Sequence, residues 1–409
     1  MRRTFRRSWT LLLFLVIPGL GAVTPLLVYP AITSRFGAAG FTAVAIGLSV
    51  GMTVSAICEL GWGVLGPQRI ARSPRSTHVE LVRSSLATKL LALLLGAPAA
   101  VLITWWTLPE QELAGAVTAL GAALTALSPS WYLTGLNRPA WILVSDTLPK
   151  VLTNLAVAGA LLLGAPLLTY GASTIVTSIL PIVLVGVLGR ESLRPRREDL
   201  RSGWAVIRQQ GPLTVGRAVS VGYTSLPLTL TSMLAPTAAP LFAATDRIMR
   251  MGLTVLAGLP SRLQSYLGVN DPGERARRIR RVLIVNALLG LVAAAVFVLV
   301  MPLATDLVFT GTIHPEPLVT GTMGAVVLAV CTSRGYGLCL VAQGKANLTI
   351  VVTGCAALTG VTALFVLVPP WGALGAALAV LMAEVVGIVV QMLLVHRRAP
   401  VETASAQAG

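Results

Sequence analysis

The chain has 409 residues, a formal net charge of +16, and a composition that is 55% hydrophobic and only 11% charged. Such a basic balance would suggest nucleic-acid binding in a soluble protein, but here the basic residues flank long apolar runs. We therefore exclude nucleic acid as a partner. The bases are expected to orient the chain in a membrane and to contact anionic lipid headgroups.

Twelve apolar segments lie near the length of about 20 residues that a helix needs to cross hydrocarbon. In chain order they are Trp9–Tyr29, Phe41–Leu65, Ser84–Trp106, Leu113–Leu133, Val151–Ala165, Leu167–Leu188, Leu213–Ala235, Pro240–Leu267, Val282–Ala304, Leu318–Val341, Ala346–Val368 and Gly372–Val395. The fifth segment is long enough only if its helix begins before Val151. Outside the spans, every Lys and Arg except Arg35 falls in a segment predicted to be cytoplasmic, so both termini are expected there.

The sequence thus predicts an all-α polytopic membrane protein of about twelve helices in two six-helix lobes. The strongest change of composition is the arginine-rich stretch Arg190–Gln210, which divides the spans six and six. We expect an N-terminal lobe at 1–189, a basic cytoplasmic linker at 190–211, a C-terminal lobe at 212–396 and a cytoplasmic tail at 397–409. Two such lobes of equal orientation around a central site are the usual frame for alternating access.

The sequence contains no motif typical of a disulfide-stabilised, metal-binding or nucleotide-binding protein. The four cysteines lie in apolar spans and the three histidines are isolated outside them, so neither a disulfide framework nor a metal site is predicted. The chain contains no G-x-x-x-x-G-K-[ST] stretch, so no cofactor is predicted and transport is not expected to use ATP bound to this chain.

Basic residues inside the spans carry the most specific signal, because a charge at the bilayer centre costs about 2.5–3.5 kcal/mol. Lys89 lies near the inner end of its span and is expected to snorkel to the headgroups. The deeper cations are Arg217, Arg247, Arg250 and Arg334. They outnumber the deep acids Asp246 and Glu384, which predicts a cavity suited to an anionic group such as phosphate or pyrophosphate.

The acidic residues within the spans have two interpretations. Asp246 and Arg250 are spaced i, i+4 and could form a neutral pair on one helix face. Glu384 has no basic neighbour in its own helix, and a buried carboxyl group of this kind can exchange protons near neutral pH. Glu384, Glu59 and Asp246 are therefore candidates for proton coupling; alternatively, each is a buried partner of an arginine.

Three stretches of the first half resemble a known family. Pro25–Phe41 resembles the first-span exit, and Leu60–Arg69 the second-span exit, of polysaccharide-biosynthesis (Wzx-type) lipid-linked oligosaccharide flippases. Gly135–Pro139, followed by Asp146–Lys150, resembles their fourth-to-fifth-span loop. These flippases belong to the multidrug/oligosaccharidyl-lipid/polysaccharide exporter superfamily, which also contains the MATE drug exporters and the lipid II flippases.

The resemblance implies a V-shaped pair of lobes that flips an undecaprenyl-pyrophosphate-linked glycan across the bacterial cytoplasmic membrane. It implies that cationic cavity residues bind the pyrophosphate, in agreement with the deep arginines, and it adds Arg35 at the outer mouth as a candidate. Other polysaccharide-assembly membrane proteins are possible partners on the same ground.

Other functions fit the sequence less well. A MATE-like, ion-coupled exporter of small molecules predicts deep acidic residues in the first span, and Trp9–Tyr29 contains none. A membrane enzyme would present a large charged outer loop, whereas the longest outer segment, Thr305–Pro317, carries only Asp306, His314 and Glu316. A transporter that is not an enzyme is therefore expected.

Overall fold

The structure, a computed structural model, describes residues 20–21, 23–189, 193–196, 198–199, 225–256, 266–267 and 271–396. These residues form helices joined by short turns, with no β-strand among them, which confirms the predicted all-α membrane fold. The helices are α1 (Tyr29–Cys58), α2 (Trp62–Arg72), α3 (His78–Thr107), α4 (Glu112–Leu124), α5 (Ser130–Gly135), α6 (Pro139–Ile142), α7 (Leu148–Leu162), α8 (Leu168–Gly189), α9 (Ser225–Leu234), α10 (Ala239–Leu256), α11 (Pro272–Phe309), α12 (Pro317–Ala342) and α13 (Thr349–His396).

Seven helical segments of the described chain are long and apolar enough to cross a membrane. They are Tyr29–Cys58, Arg75–Thr107, Glu112–Gly135, Leu168–Val187, Gly273–Phe309, Pro317–Ala342 and Thr349–His396. Large apolar side chains cover the outside of the bundle; Leu95 and Trp106 are each 83% exposed and Leu163 is 91% exposed. Such a surface suits hydrocarbon rather than water.

The segments α1 and α13 are each a pair of antiparallel helices. In α1 the rings of Tyr29 and Phe41 lie 5.2 Å apart, although twelve residues of straight helix would separate them by about 18 Å. The chain reverses at Gly37, whose φ of +64° favours glycine. In α13 the reversal is at Gly372, with a φ of +52°, and a methyl group on Gly375 would lie 2.0 Å from the carbonyl oxygen of Leu367. The predicted total of twelve spans stays a prediction.

The fifth predicted span begins earlier than its apolar run. Helix α6 continues through a π-helical turn at Leu143–Thr147 into α7, so that helical structure extends from Pro139 to Leu162. Within it Lys150 Nζ lies 2.8 Å from Asp146 Oδ1. The placement of Asp146–Lys150 in a loop is therefore wrong: at i, i+4 spacing the two charges compensate each other on one helix face.

Two groups of helices are recognisable from their packing. Helices α1 to α8 pack with one another, as do α10 to α13, and α9 lines a cavity together with α10, α12 and α13. We call α1 to α8 the N-terminal helix group and α9 to α13 the C-terminal helix group. The predicted domain boundaries stay predictions, since most of the linker lies outside the described residues.

Several contacts between the two groups lie toward the end of the bundle that carries the Gly37 and Gly372 turns. The rings of Phe41 and Phe309 are 4.7 Å apart, and the hydroxyl groups of Thr33 and Thr310 are 3.2 Å apart. Ser232 donates a hydrogen bond of 3.4 Å to the carbonyl oxygen of Thr107. This end, predicted to be the outer one, is therefore closed by direct contact.

Small residues allow the backbones of α1 and α4 to approach closely. A methyl group on Gly51 would lie 2.3 Å from the Ala119 carbonyl oxygen and 2.6 Å from the Ala122 side chain. Membrane helices use such small residues because van der Waals packing, rather than hydrophobicity, holds them together in lipid.

We predict that Gly51→Ala destabilises the N-terminal helix group by about 1–3 kcal/mol, because the added methyl group forces α1 away from α4. Thermal unfolding of the purified protein in detergent measures the effect as a lower Tm. Gly159→Ala on α7 is the matched control, since a methyl group there meets nothing within 4 Å. Equal melting temperatures for the two variants would contradict this account of the packing.

Candidate functional site

A cavity of about 300 Å³ lies inside the C-terminal helix group, between α9, α10, α12 and the second half of α13. Its lining consists of Pro227, Met249, Arg250, Leu253, Thr254, Val326, Val330, Arg334, Val380 and Glu384. Three predicted site residues, Arg250, Arg334 and Glu384, thus meet in one space although they come from three different helices.

Helical periodicity explains why the lining residues of each helix lie on one face. Val326, Val330 and Arg334 follow one another at i, i+4 spacing on α12, and Val380 and Glu384 do the same on α13. Residues at this spacing share a helix face. Each helix therefore gives the cavity an apolar stripe with one ionisable residue along it.

Both arginines of the cavity are held in place by neighbouring oxygens. Arg250 Nε donates to Asp246 Oδ2 at 2.7 Å, so the i, i+4 pair predicted from the sequence is present. The Arg250 side chain remains 33% exposed, whereas that of Asp246 is 10% exposed. Arg334 Nη1 donates to the Leu253 carbonyl oxygen at 3.1 Å, which joins α12 to α10. A guanidinium group carries five N–H donors in a fixed planar arrangement, which is a geometry suited to an anionic ligand.

The charges around this cavity balance among the described residues. Arg250 and Arg334 contribute two positive charges, and Asp246 and Glu384 contribute two negative ones when ionised. The surplus of positive charge that the sequence predicted depended on Arg217 and Arg247. Arg217 lies outside the described residues, and Arg247 is not in the cavity lining.

Arg247 faces the other helix group instead. It is about 100° round α10 from Asp246, and its guanidinium interacts electrostatically with Tyr29 of α1. Arg247 Nη2 and the Tyr29 hydroxyl group are both buried. The two polar groups meet where the helix groups touch.

The structure places Glu59 in the N-terminal helix group, away from the cavity. Its carboxylate interacts electrostatically with Lys89, which is 0% exposed and lies with Nζ 5.8 Å from the centre of the Trp131 ring. Among the described residues Lys89 Nζ has no hydrogen-bond partner. The expectation that Lys89 snorkels to the headgroups is therefore wrong.

Arg35 is exposed beside the Gly37 turn and near Gly164, and it does not line the described cavity. Within the described ranges no three His, Cys, Asp or Glu side chains are grouped so that they could hold a metal ion.

Sequence reasoning missed Lys89 and Tyr29 as interior polar residues. A signal existed for Lys89 in the acidic Glu59, predicted near the inner end of the adjacent span.

Solved structures share this fold over nearly the whole chain. An inward-facing multidrug resistance MATE family transporter of the MOP superfamily gives a TM-score of 0.70 at 15% identity, covering 94% of this chain and 97% of its own. Lipid II flippase MurJ in an inward closed conformation gives 0.71 at 11% identity, covering 95% and 87%. The MATE multidrug transporter DinF-BH in complex with R6G gives 0.63 at 16% identity, covering 96% and 94%.

Identities this low establish a common fold and nothing finer. No curated protein matches the chain in sequence. A family model described as polysaccharide biosynthesis protein matches residues 7–262, which is more than half of the chain. This match confirms the resemblance read from the first-half motifs: the chain is a multi-pass membrane protein that belongs to the polysaccharide biosynthesis protein family.

Proposed function

We propose that the protein flips an undecaprenyl-pyrophosphate-linked oligosaccharide from the inner to the outer leaflet of the bacterial cytoplasmic membrane by alternating access. Membership of the polysaccharide biosynthesis family and a fold shared with a lipid II flippase support transport of a lipid-linked glycan. The observation that carries the proposal is the cavity in which Arg250 and Arg334 are both anchored.

The cavity arginines are the proposed pyrophosphate site. A guanidinium group donates N–H bonds in a planar fork that matches phosphate oxygens, and such charge-assisted bonds strengthen where water is scarce. Asp246 and the Leu253 carbonyl oxygen already restrict the two side chains, so less conformational entropy is lost when a ligand binds. Arg35, Arg217 and Arg247 stay candidates for further contacts along the path.

Alternating access requires the closed end of the bundle to open. The contacts that hold this end are an aromatic pair, Phe41 with Phe309, and single hydrogen bonds such as that between Thr33 and Thr310. The described ion pairs lie elsewhere, so opening this end breaks none of them. The polyprenyl tail would stay in lipid while the pyrophosphate and glycan pass through the bundle.

A MATE-like exporter of small molecules is the second candidate, favoured by the fold and by an acidic residue in the cavity. Glu384, Glu59 and Asp246 remain candidates for ion coupling in either function.

Arg277, Arg280 and Arg281 are exposed near the start of α11 and are proposed to contact anionic lipid headgroups.

We predict that Arg250→Ala and Arg334→Ala each reduce flipping about 10- to 100-fold, as expected for the loss of a charge-assisted hydrogen bond. Liposomes that contain the purified protein and a fluorescent undecaprenyl-pyrophosphate-linked glycan provide the measurement. Arg280→Ala is the matched control, because Arg280 is exposed outside the predicted span.

Undiminished flipping by both cavity variants would exclude this pyrophosphate site while leaving the flippase intact. Absence of flipping by the folded wild-type protein, together with efflux of a small cationic dye, would instead favour the exporter.

We predict that the Asp246–Arg250 pair affects stability and transport separately. Asp246→Asn removes the negative charge that faces Arg250 and should lower stability by less than the about 3–5 kcal/mol typical of a fully buried pair, because Arg250 is partly exposed. Asp246→Asn/Arg250→Gln should recover most of the Tm but not the transport. The Asp146–Lys150 pair, at the junction of the π-helical turn and α7, has similar spacing and exposure, and its double variant should keep both the Tm and the transport. Full transport by the Asp246/Arg250 double variant would show that the pair is purely structural.

A further inference from the structure

Two neighbouring helices of the N-terminal helix group are interrupted inside predicted membrane spans. The chain leaves α1 through Leu60 and Gly61, whose φ angles of +52° and +77° are both left-handed, before α2 begins. A leucine in this region is rare, because its Cβ atom crowds the backbone. Similarly, α4 gives way to a 3-10 turn at Thr125–Leu127 and then to Pro129 before α5 begins.

Contacts on either side of the two interruptions place them at the same level. Before the interruptions, the hydroxyl groups of Ser55 and Thr125 are 2.8 Å apart. After them, the ring centres of Trp62 and Trp131 are 5.2 Å apart. The neighbouring helix α3 runs without such a break from His78 to Thr107. A fixed helix therefore stands beside two helices that are both divided at one depth.

Beyond the interruptions, α2 and α5 pack closely against each other. We call these two helices together the cap, Trp62–Arg72 with Ser130–Gly135. A methyl group on Gly66 would lie 2.3 Å from Cε3 of the Trp131 ring, and one on Gly135 would lie 2.8 Å from Ile70 Cβ. Helix α2 packs mainly on α5 and only slightly on α3. The cap is thus one packed body that the interruptions join to the rest of the helix group.

The cap is held against α3 by two adjacent residues of that helix. Trp62 Nε1 donates a buried hydrogen bond of 3.0 Å to Thr88 Oγ1. The next residue, Lys89, lies with Nζ over the Trp131 ring, 5.8 Å from its centre. A cation over an aromatic face is attracted by the ring, and more strongly where water is excluded. One turn of α3 therefore fastens both cap helices, each through its tryptophan.

We propose that the cap swings as one body about Leu60–Gly61 and Thr125–Pro129, and that Thr88 and Lys89 hold it in the position described. Hinges are short stretches at the ends of helices that absorb changes of φ and ψ. The cap lies at the end of the bundle predicted to be cytoplasmic, opposite the closed end, so its motion widens or narrows the inner entrance. The motion belongs to the protein without ligand and does not depend on which substrate is moved.

The first test is hydrogen exchange of the purified protein in detergent, comparing wild type with Thr88→Val. This substitution keeps the shape of the side chain but removes the acceptor of the Trp62 bond. Thr118→Val is the matched control, because Thr118 is a buried threonine of α4 that donates to the Ala114 carbonyl oxygen of the same helix.

We expect Thr88→Val to lower the protection factors of α2 and α5 by a common factor of about 3 to 10, as for one lost hydrogen bond. Amides that open in one cooperative unit respond together, so α5 should follow although Thr88 bonds to α2. Thr118→Val should leave both cap helices unchanged. A response confined to α2, or no response in either helix, would overturn the motion as a single body.

Disulfide locks give a second measurement, in a chain whose four native cysteines are replaced by alanine. His78→Cys/Tyr132→Cys joins α3 to the cap at two rings whose centres are 6.2 Å apart. Ile70→Cys/Gly135→Cys joins the two cap helices to each other and is the matched control.

Oxidation of the first pair should stop flipping in the liposome assay, and a reductant should restore it, whereas the second pair should flip in both states. Full transport by the oxidised first pair would overturn the inference. Absence of flipping by the reduced protein would count against the proposed function alone, because the exchange experiment tests the cap without a substrate.

Discussion

Charge compensation in a medium without water is the constraint on which this structure depends. Hydrocarbon cannot solvate an ion, so each ionisable side chain within the bundle has to meet a partner from its own helix or from a neighbour. Asp246 meets Arg250 one turn away, Asp146 meets Lys150 in the same manner, and Glu59 lies near Lys89. Such neighbours lower the cost of placing an ion within the bundle, and apolar side chains are left to face lipid.

The same constraint explains how a polar cavity can persist inside the C-terminal helix group. Each side chain that lines it on α12 and α13 belongs to an i, i+4 row, so one polar residue is surrounded by valines that keep the helix packed. The bond from Arg334 to the Leu253 carbonyl oxygen joins two of the helices at the cavity wall. Rigid walls of this kind favour a ligand site, because the binding groups are already positioned.

Local features were predictable from the sequence and contacts between distant segments were not. The Asp246–Arg250 pair follows from helix geometry alone, since both residues lie on one helix. The meeting of Arg334 with Glu384 depends on how α12 and α13 pack, and no pattern within either helix encodes it. Lys89 was expected at the headgroups because its depth is readable from the sequence, whereas its rotation toward Trp131 and Glu59 is a tertiary property.

The helix boundaries were likewise predictable from the sequence only in part. The sequence suggested a loop from Tyr29 to Phe41 and a polar loop at Asp146–Lys150. In the structure, the first is a reversal centred on Gly37, and the second is helical because its charges pair. Composition alone records that polar residues are present; it does not record that neighbouring turns of a helix bring opposite charges together.

The charge balance of the cavity has an electrical consequence for the proposed transport cycle. A membrane potential does about 2.3 kcal/mol of work per elementary charge per 100 mV, and only on charge that moves through the field. The charges of Arg250, Arg334, Asp246 and Glu384 sum to zero when all four side chains are ionised. On the charges of these described residues, the empty cavity would reorient without electrical work. A pyrophosphate diester brings two negative charges, so the loaded cavity would carry two net negative charges. The interior of a bacterial cell is electrically negative, so the membrane potential would push this negative charge outward. The potential would therefore drive the loaded step and do no work on the return of the empty cavity.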